Sequence, residues 1–254
     1  MVAVRAAAPD PRQLREAADR ARPVVLAGER VLPVVPALAP LFPDGGLRRG
    51  STVCVGGGPA ASSLALAVVA AASSLGSWCA AVGWPSLGVA AASELGVALE
   101  RFPLVAWPSG AAPSEGPTIV AALLDAFDVV LVRAPGRPGR GLRLGDARRL
   151  SARARERGAV LVHVGADVEG ADVRLTTERP EWHGLGDGHG HLTGRVVDVV
   201  AGGRGAASRE RRVRVWLPAP DGGGVALAEL ASSNTLAVFR PREAEKREGV
   251  GGSR

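Results

Sequence analysis

A run of glycines leading into serines, Gly56-Gly57-Gly58-Pro59-Ala60-Ala61-Ser62-Ser63, is the stretch of this chain best suited to chemistry. Glycines let backbone N–H groups close around phosphate oxygens, and a helix opening at the serines would add its N-terminal amides and partial positive charge. Nucleotide chemistry on such a turn also needs a lysine for the terminal phosphates and a hydroxyl for magnesium. Ser62 offers the hydroxyl, but the single lysine of the chain is Lys246, far along the sequence. The turn can hold an anion; it lacks the cation that ATP chemistry requires.

A second candidate is a crowd of arginines: Arg133, Arg137, Arg140, Arg143, Arg148, Arg149, Arg153, Arg155 and Arg157, opposed within the run only by Asp146 and Glu156. Two readings stand. Arg137, Arg140, Arg143, Arg148 and Arg149 can contact nucleic-acid phosphates, in a salt-sensitive and sequence-indifferent way. Alternatively they form a solvated face that keeps an alanine-rich protein in solution. The formal net charge of +6 makes a polyanion plausible without identifying it. Of the four histidines, His163, His183, His189 and His191, the three in HGLGDGHGH could hold a metal with Asp187, but the stretch reads as a polar hairpin turn and no metal is expected. Cys54 and Cys79 lie in apolar runs without a basic neighbour to activate them, and read as small buried hydrophobes of a reducing cytoplasm. Trp107, Trp182 and Trp216 read as packing residues, with Trp182 in RPEWHG also suited to anchor a partner.

The elements that must position these residues are regular. With 46% hydrophobic but only 4% aromatic residues, the core has to be built from Val, Leu and Ala. STVCVGGG is a strand entering the glycine turn, and SSLALAVVAAASSLG is a buried helix closed by Gly76. The strand SWCAAVGW follows, then the helix VAAASELG, the short strand PLVAW, the helix TIVAALLDAF and the strand DVVLVRA. RLGDARRLSARARERG is a basic helix and AVLVHVG the strand after it. Strands apolar throughout and separated by helices specify an α/β fold with a mostly parallel sheet covered on both faces. ADVRLT, RVVDVVA and RRVRVWLP read as antiparallel strands continuing its C-terminal edge. The core is expected over 45–238, after an N-terminal helix at 11–21 and a proline-rich, extended lead-in at 31–50, and before a flexible basic tail over 239–254. The longest apolar run, from Leu64 to Leu75, falls short of the roughly 18 residues of a spanning helix. Too few apolar residues precede Pro9 for a signal peptide, so a cytoplasmic protein away from membranes is expected.

The order of elements and their wording resemble the bacterial recombinase RecA. GGLRRGSTVCVGG followed by LALAVVAAASSLGSWCAAV is similar to its lead-in, phosphate-loop strand and helix. ASELGVALERFPLVAWP resembles the next segment, DVVLVRA the magnesium strand, and ADVRL and RVRVWLP the late strands, so the likeness runs over about 45–217. Laid over the family pattern, Ala60 takes the place of the last loop glycine, Ala61 that of the lysine and Ser62 that of the metal-binding hydroxyl. Pro85 falls at or near the water-activating glutamate, and Arg133 at the magnesium aspartate. Cation, base and metal carboxylate are then all replaced, so the resemblance implies a RecA-like core with a degenerate ATP site, no ATP hydrolysis and no cofactor. Arg133 is left with two options: to enter the phosphate site as counter-ion for a carboxylate, or to point to solvent.

Among small RecA relatives without ATP chemistry the chain is similar to the ImuA type. That resemblance implies a non-catalytic accessory role in DNA repair and damage-induced translesion mutagenesis, with a Y-family polymerase-like protein as partner, RecA and DNA as further candidates, and the segments at 11–21 and 239–254 as candidate docking pieces. Departures are the short ADVEG link where RecA has its second DNA loop, and the missing large C-terminal domain. A nucleotide-binding regulator of the RecA and KaiC superfamily, and a DNA-binding protein without a specific protein partner, are the alternative readings. The oligomeric state is left open.

Overall fold

In the computed structural model, residues 30–107, 115–133, 142–186, 189–222 and 224–228 are described. The expected helix at 11–21, the tail at 239–254, Arg137, Arg140 and Asp187 lie outside these residues.

The glycine turn leaves strand β3 (Thr52–Val55), which sits inside a sheet of nine strands among the described residues. On one side β3 pairs in parallel with β7 (Val160–Val164), followed by β6 (Val129–Val132), β4 (Cys79–Val82) and the short β5 (Leu104–Val105), all parallel. On the other side it pairs with β8 (Val173–Leu185), also in parallel, through Val53–Val173 and Val55–Leu175. Only beyond β8 does the sheet turn antiparallel, through β9 (Gly190–Gly203), β10 (Arg211–Trp216) and the two-residue β11 (Ala226–Leu227). ADVRLT is therefore the last parallel strand as well as the first partner of an antiparallel ladder. Its continuation through Leu185 and the return through β9 form a long hairpin, with His183 near the end of one arm and His191 near the start of the other.

β3, β4, β6 and β7 are buried at every residue, because helices cover both faces. Val160, Val162 and Val164 face one core, which holds most of α1 (Ala61–Ser74). Leu161 faces the other, filled by Val120 and Leu124 of α3 (Glu115–Ala126) and by Leu150 and Ala154 of α4 (Leu144–Arg157). The middle of α1, residues 64–70, is apolar and buried on every side, the expected state for such a stretch. The short α2 (Val89–Glu94) follows β4, and α4 ends on Gly158 in the left-handed conformation, a regular helix stop.

The proline-rich stretch is part of the core. Val31–Pro33 (β1) and Gly46–Arg48 (β2) pair antiparallel, and a 3-10 helix, Pro36–Leu41, lies between them. Leu38, Leu41 and Leu47 are fully buried in the same core as α1. Prolines forbid a long regular helix but are compatible with a tight helical turn and short strands, and the leucines between them had apolar surface to bury. Among the described residues no helix is long and apolar enough to cross a membrane.

Candidate functional site

The carboxyl ends of β3, β6 and β7 open on one crevice, the place where parallel sheets hold their ligands. The glycine turn is bent over its neighbour β8. Gly56 donates its N–H to the Leu175 carbonyl at 2.8 Å, and a Cβ on Gly58 would stand 2.8 Å from the Thr177 carbonyl oxygen, so this position has no room for a side chain. The Thr177 hydroxyl donates to the Pro59 carbonyl and fixes the far side of the turn. Ala60 then takes φ +70°, a left-handed backbone that costs an L-residue about 1–2 kcal/mol, and its carbonyl accepts the first helical bond from the Leu64 N–H at 2.8 Å. The residue in the place of the last loop glycine thus keeps a glycine backbone while carrying a methyl group. Ala60 offers no side-chain cap; the Ala61 N–H turns back to the Gly58 carbonyl at 3.2 Å, and the first turn of α1 ends at the cavity wall without a capping side chain.

That cavity holds about 300 Å³ and is lined by the turn, by Ala61, Ser62 and Ser63, and by two arginines. Arg133 comes from the end of β6, where its N–H donates to the Val82 carbonyl at 2.9 Å. Its Nη1 is 3.5 Å from the Ser62 hydroxyl oxygen, and its guanidinium lies 5.4 Å from the centre of the Trp84 ring. Of the two options for Arg133, entry into the site is the one adopted; among the described residues it meets no carboxylate there. Pro85 is exposed just after Trp84 at the end of β4 and does not line the cavity, whereas Gly57, Gly58, Ala61 and Ser62 do.

The second arginine, Arg195 on β9, is the residue that sequence reasoning missed. It is 8% exposed. Its Nε donates to the Leu217 carbonyl and its Nη2 to the Ser63 hydroxyl, each at 3.0 Å, and the guanidinium lies 4.7 Å from the centre of the Trp182 ring. Burial pulls its pKa below the ordinary arginine value, and among the described residues no carboxylate offsets the cost. The available signal was an arginine opening RVVDVVA, a strand apolar at its other positions except Asp198. A magnesium nucleotide of the kind the RecA resemblance implies does not fit this arrangement: where the resemblance puts a metal carboxylate and a lysine, the cavity wall carries the Arg133 guanidinium and the Ala61 methyl group.

The arginine run is more neutralised than its sequence neighbours suggest. Arg143, Arg148 and Arg149 are exposed, but Arg148 pairs with Glu169 at 3.3 Å and Arg149 with Asp146 at 3.8 Å. Arg153 and Arg157 both pair with Asp125 of α3. Elsewhere, burial pushes the Cys54 thiol up to about 11 and the Cys79 thiol up to about 12, so neither is a nucleophile near neutrality. His163 is 2% exposed, its Nε2 has no hydrogen-bond partner, and burial lowers its pKa to about 4. His183 packs its ring 4.6 Å from that of Trp216.

The profile of the MT3502 N-terminal domain family matches residues 40–170. The chain belongs to the MT3502 N-terminal domain family. An uncharacterized protein of Mycobacterium tuberculosis (strain ATCC 25618 / H37Rv), Rv3395c, is 36% identical over 115 residues, which is 45% of this chain and 53% of that protein. The chain thus spans about half the length of the curated relative it matches. The MT3502 N-terminal domain stretch contains the glycine turn, Ala61, Ser62 and Arg133, while Arg195 lies beyond its end.

Proposed function

We propose that this member of the MT3502 N-terminal domain family is a non-catalytic RecA-like accessory protein of the ImuA type, which serves DNA repair and damage-induced translesion mutagenesis by contacting a Y-family polymerase-like protein. The observation that carries the non-catalytic half is Arg133 at the Ser62 hydroxyl, in the place where the resemblance puts a metal-binding carboxylate. Ala61 at the cavity wall and Pro85 outside it agree. Phosphoryl transfer depends on a phosphate-binding cation, a metal carboxylate and a water-orienting group, and at the positions the resemblance assigns to them stand Ala61, Arg133 and Pro85. The repair half draws its support from the RecA resemblance, with RecA and DNA as further candidate partners.

The test has two arms. Purified protein incubated with magnesium and ATP should release no phosphate above a protein-free control; steady turnover abolished by Ser62→Ala would refute the non-catalytic reading and favour a RecA and KaiC-type regulator. Co-expression with a Y-family polymerase-like protein of the same organism should give a complex that survives gel filtration. Separate elution of the two at micromolar concentration would refute the adaptor reading.

A further inference from the structure

We infer that the cavity between the glycine turn, Arg133 and Arg195 is a metal-independent binding site for a phosphoryl group. Two guanidinium groups line one cavity of about 300 Å³, and no carboxylate is among its lining residues. Arg195 is buried, and both partners of its donors, the Leu217 carbonyl and the Ser63 hydroxyl, are neutral. They orient the group without balancing its charge, and a buried cation lacking a counter-charge is an expensive state that an entering anion relieves. Each arginine lies over a tryptophan ring, Arg133 over Trp84 and Arg195 over Trp182, which holds the guanidinium in place; stacking uses none of the N–H donors, and beyond the bonds to Leu217 and Ser63 the Nη1 of Arg195 still carries N–H groups for oxygen acceptors. The Ser62 and Ser63 hydroxyls and the uncapped first turn of α1 add further donors.

The chemistry of the wall defines the ligand. Guanidinium pairs recognise tetrahedral oxyanions, and phosphoryl groups above all. The volume is at the lower edge of the roughly 300–1,000 Å³ of small-molecule pockets, a fit for phosphate or diphosphate rather than a whole nucleoside triphosphate. With Arg133 at the end of β6, a divalent cation would be repelled, so the arginines take over the charge neutralisation that a metal ion would supply. The inference does not depend on the repair role, and its failure would leave partner binding untouched.

Calorimetry of the full chain with inorganic pyrophosphate tests it. In EDTA at low salt, saturable one-to-one binding is expected, and added magnesium should not tighten it. Arg133→Gln, at a partly exposed position that folding tolerates, should weaken binding at least 10-fold with an unchanged thermal melt of the free protein, and Arg133→Lys should recover part of the loss. Competition by a 5′-phosphorylated oligonucleotide but not by its 5′-hydroxyl form would support the site and identify a nucleic-acid end as the source; competition by neither would support it as a site for a free anion. Absence of binding at millimolar pyrophosphate, a requirement for magnesium, or equal affinity in Arg133→Gln would overturn the inference.

Discussion

His163 should make the protein acid-sensitive by a calculable amount. The side chain is 2% exposed on β7, paired across the sheet with Cys54 and Val132, and its Nε2 finds no partner. In the folded state burial lowers its pKa to about 4, whereas the unfolded chain restores the ordinary value near 6.5. The unfolded state therefore binds the proton first as pH falls, and stability present above pH ~6.5 is lost between there and pH ~4. With those two values the loss at pH 5 relative to neutrality is about 2 kcal/mol, approaching about 3 kcal/mol when both states are protonated. His163→Leu removes the titration and fills an apolar site with an apolar side chain of similar size. Urea unfolding at pH 7.5, 6 and 5 measures the effect through the transition midpoint at constant slope. Carboxylate contributions cancel in the difference between the two proteins, so the variant should match or exceed the parent at pH 7.5 and lead it by about 2 kcal/mol at pH 5. Parallel losses in both proteins would show that His163 is protonated in the folded state and refute the reasoning.

Three further outcomes can be measured. Ala60→Gly relieves a left-handed alanine, and after subtracting the entropy of glycine and part of a half-buried methyl it should stabilise by about 0.5 kcal/mol, whereas Ala61→Gly, one residue on in regular helix, should destabilise by about 0.5–1 kcal/mol; the same sign for both in urea melts would contradict the assigned backbone. Asp198, 4% exposed, draws Arg179, Arg212 and Arg214 around it at 3.3–3.5 Å, so Asp198→Ala should cost about 2–3 kcal/mol in thermal or urea unfolding, and a change under about 0.5 kcal/mol would make the cluster ornamental. On the α4 face, Arg143→Gln should reduce the salt slope of duplex binding in anisotropy titrations by about 1, and Arg148→Gln and Arg149→Gln by less because each already meets a carboxylate; unchanged slopes in all three assign the run to a solvated face.

The sheet was legible because its strands are short apolar runs with helical patterns between them, a signal that depends on burial on both faces rather than on any one residue. The glycine turn was legible for a local reason, since three consecutive glycines stand between an apolar strand and an apolar helix. What sequence could not give was anything set by distant partners. The leucines between the prolines at 31–50 could be recognised as core only once β1 and β2 had paired. Arg195 reaches Ser63 across 132 residues of sequence, and Asp125 gathers Arg153 and Arg157 from the next helix. Local spacing carries no information about charges that meet only after folding, which is why the cavity lacked its second cation and the arginine run looked freer than it is.

Among the described residues the outermost strands of the nine-stranded sheet, β5 and β11, are two residues each. A rim that short presents only a few unpaired backbone groups, so another chain gains little by zipping on as an extra strand. β11 pairs only with Val215 and Trp216 of β10, which leaves residues 211–213 as a longer bare edge among the described residues, and the charges there oppose self-templated growth. A neighbour meeting that edge meets arginine side chains first, and such charged contacts are weakened by ionic strength as backbone ladders are not.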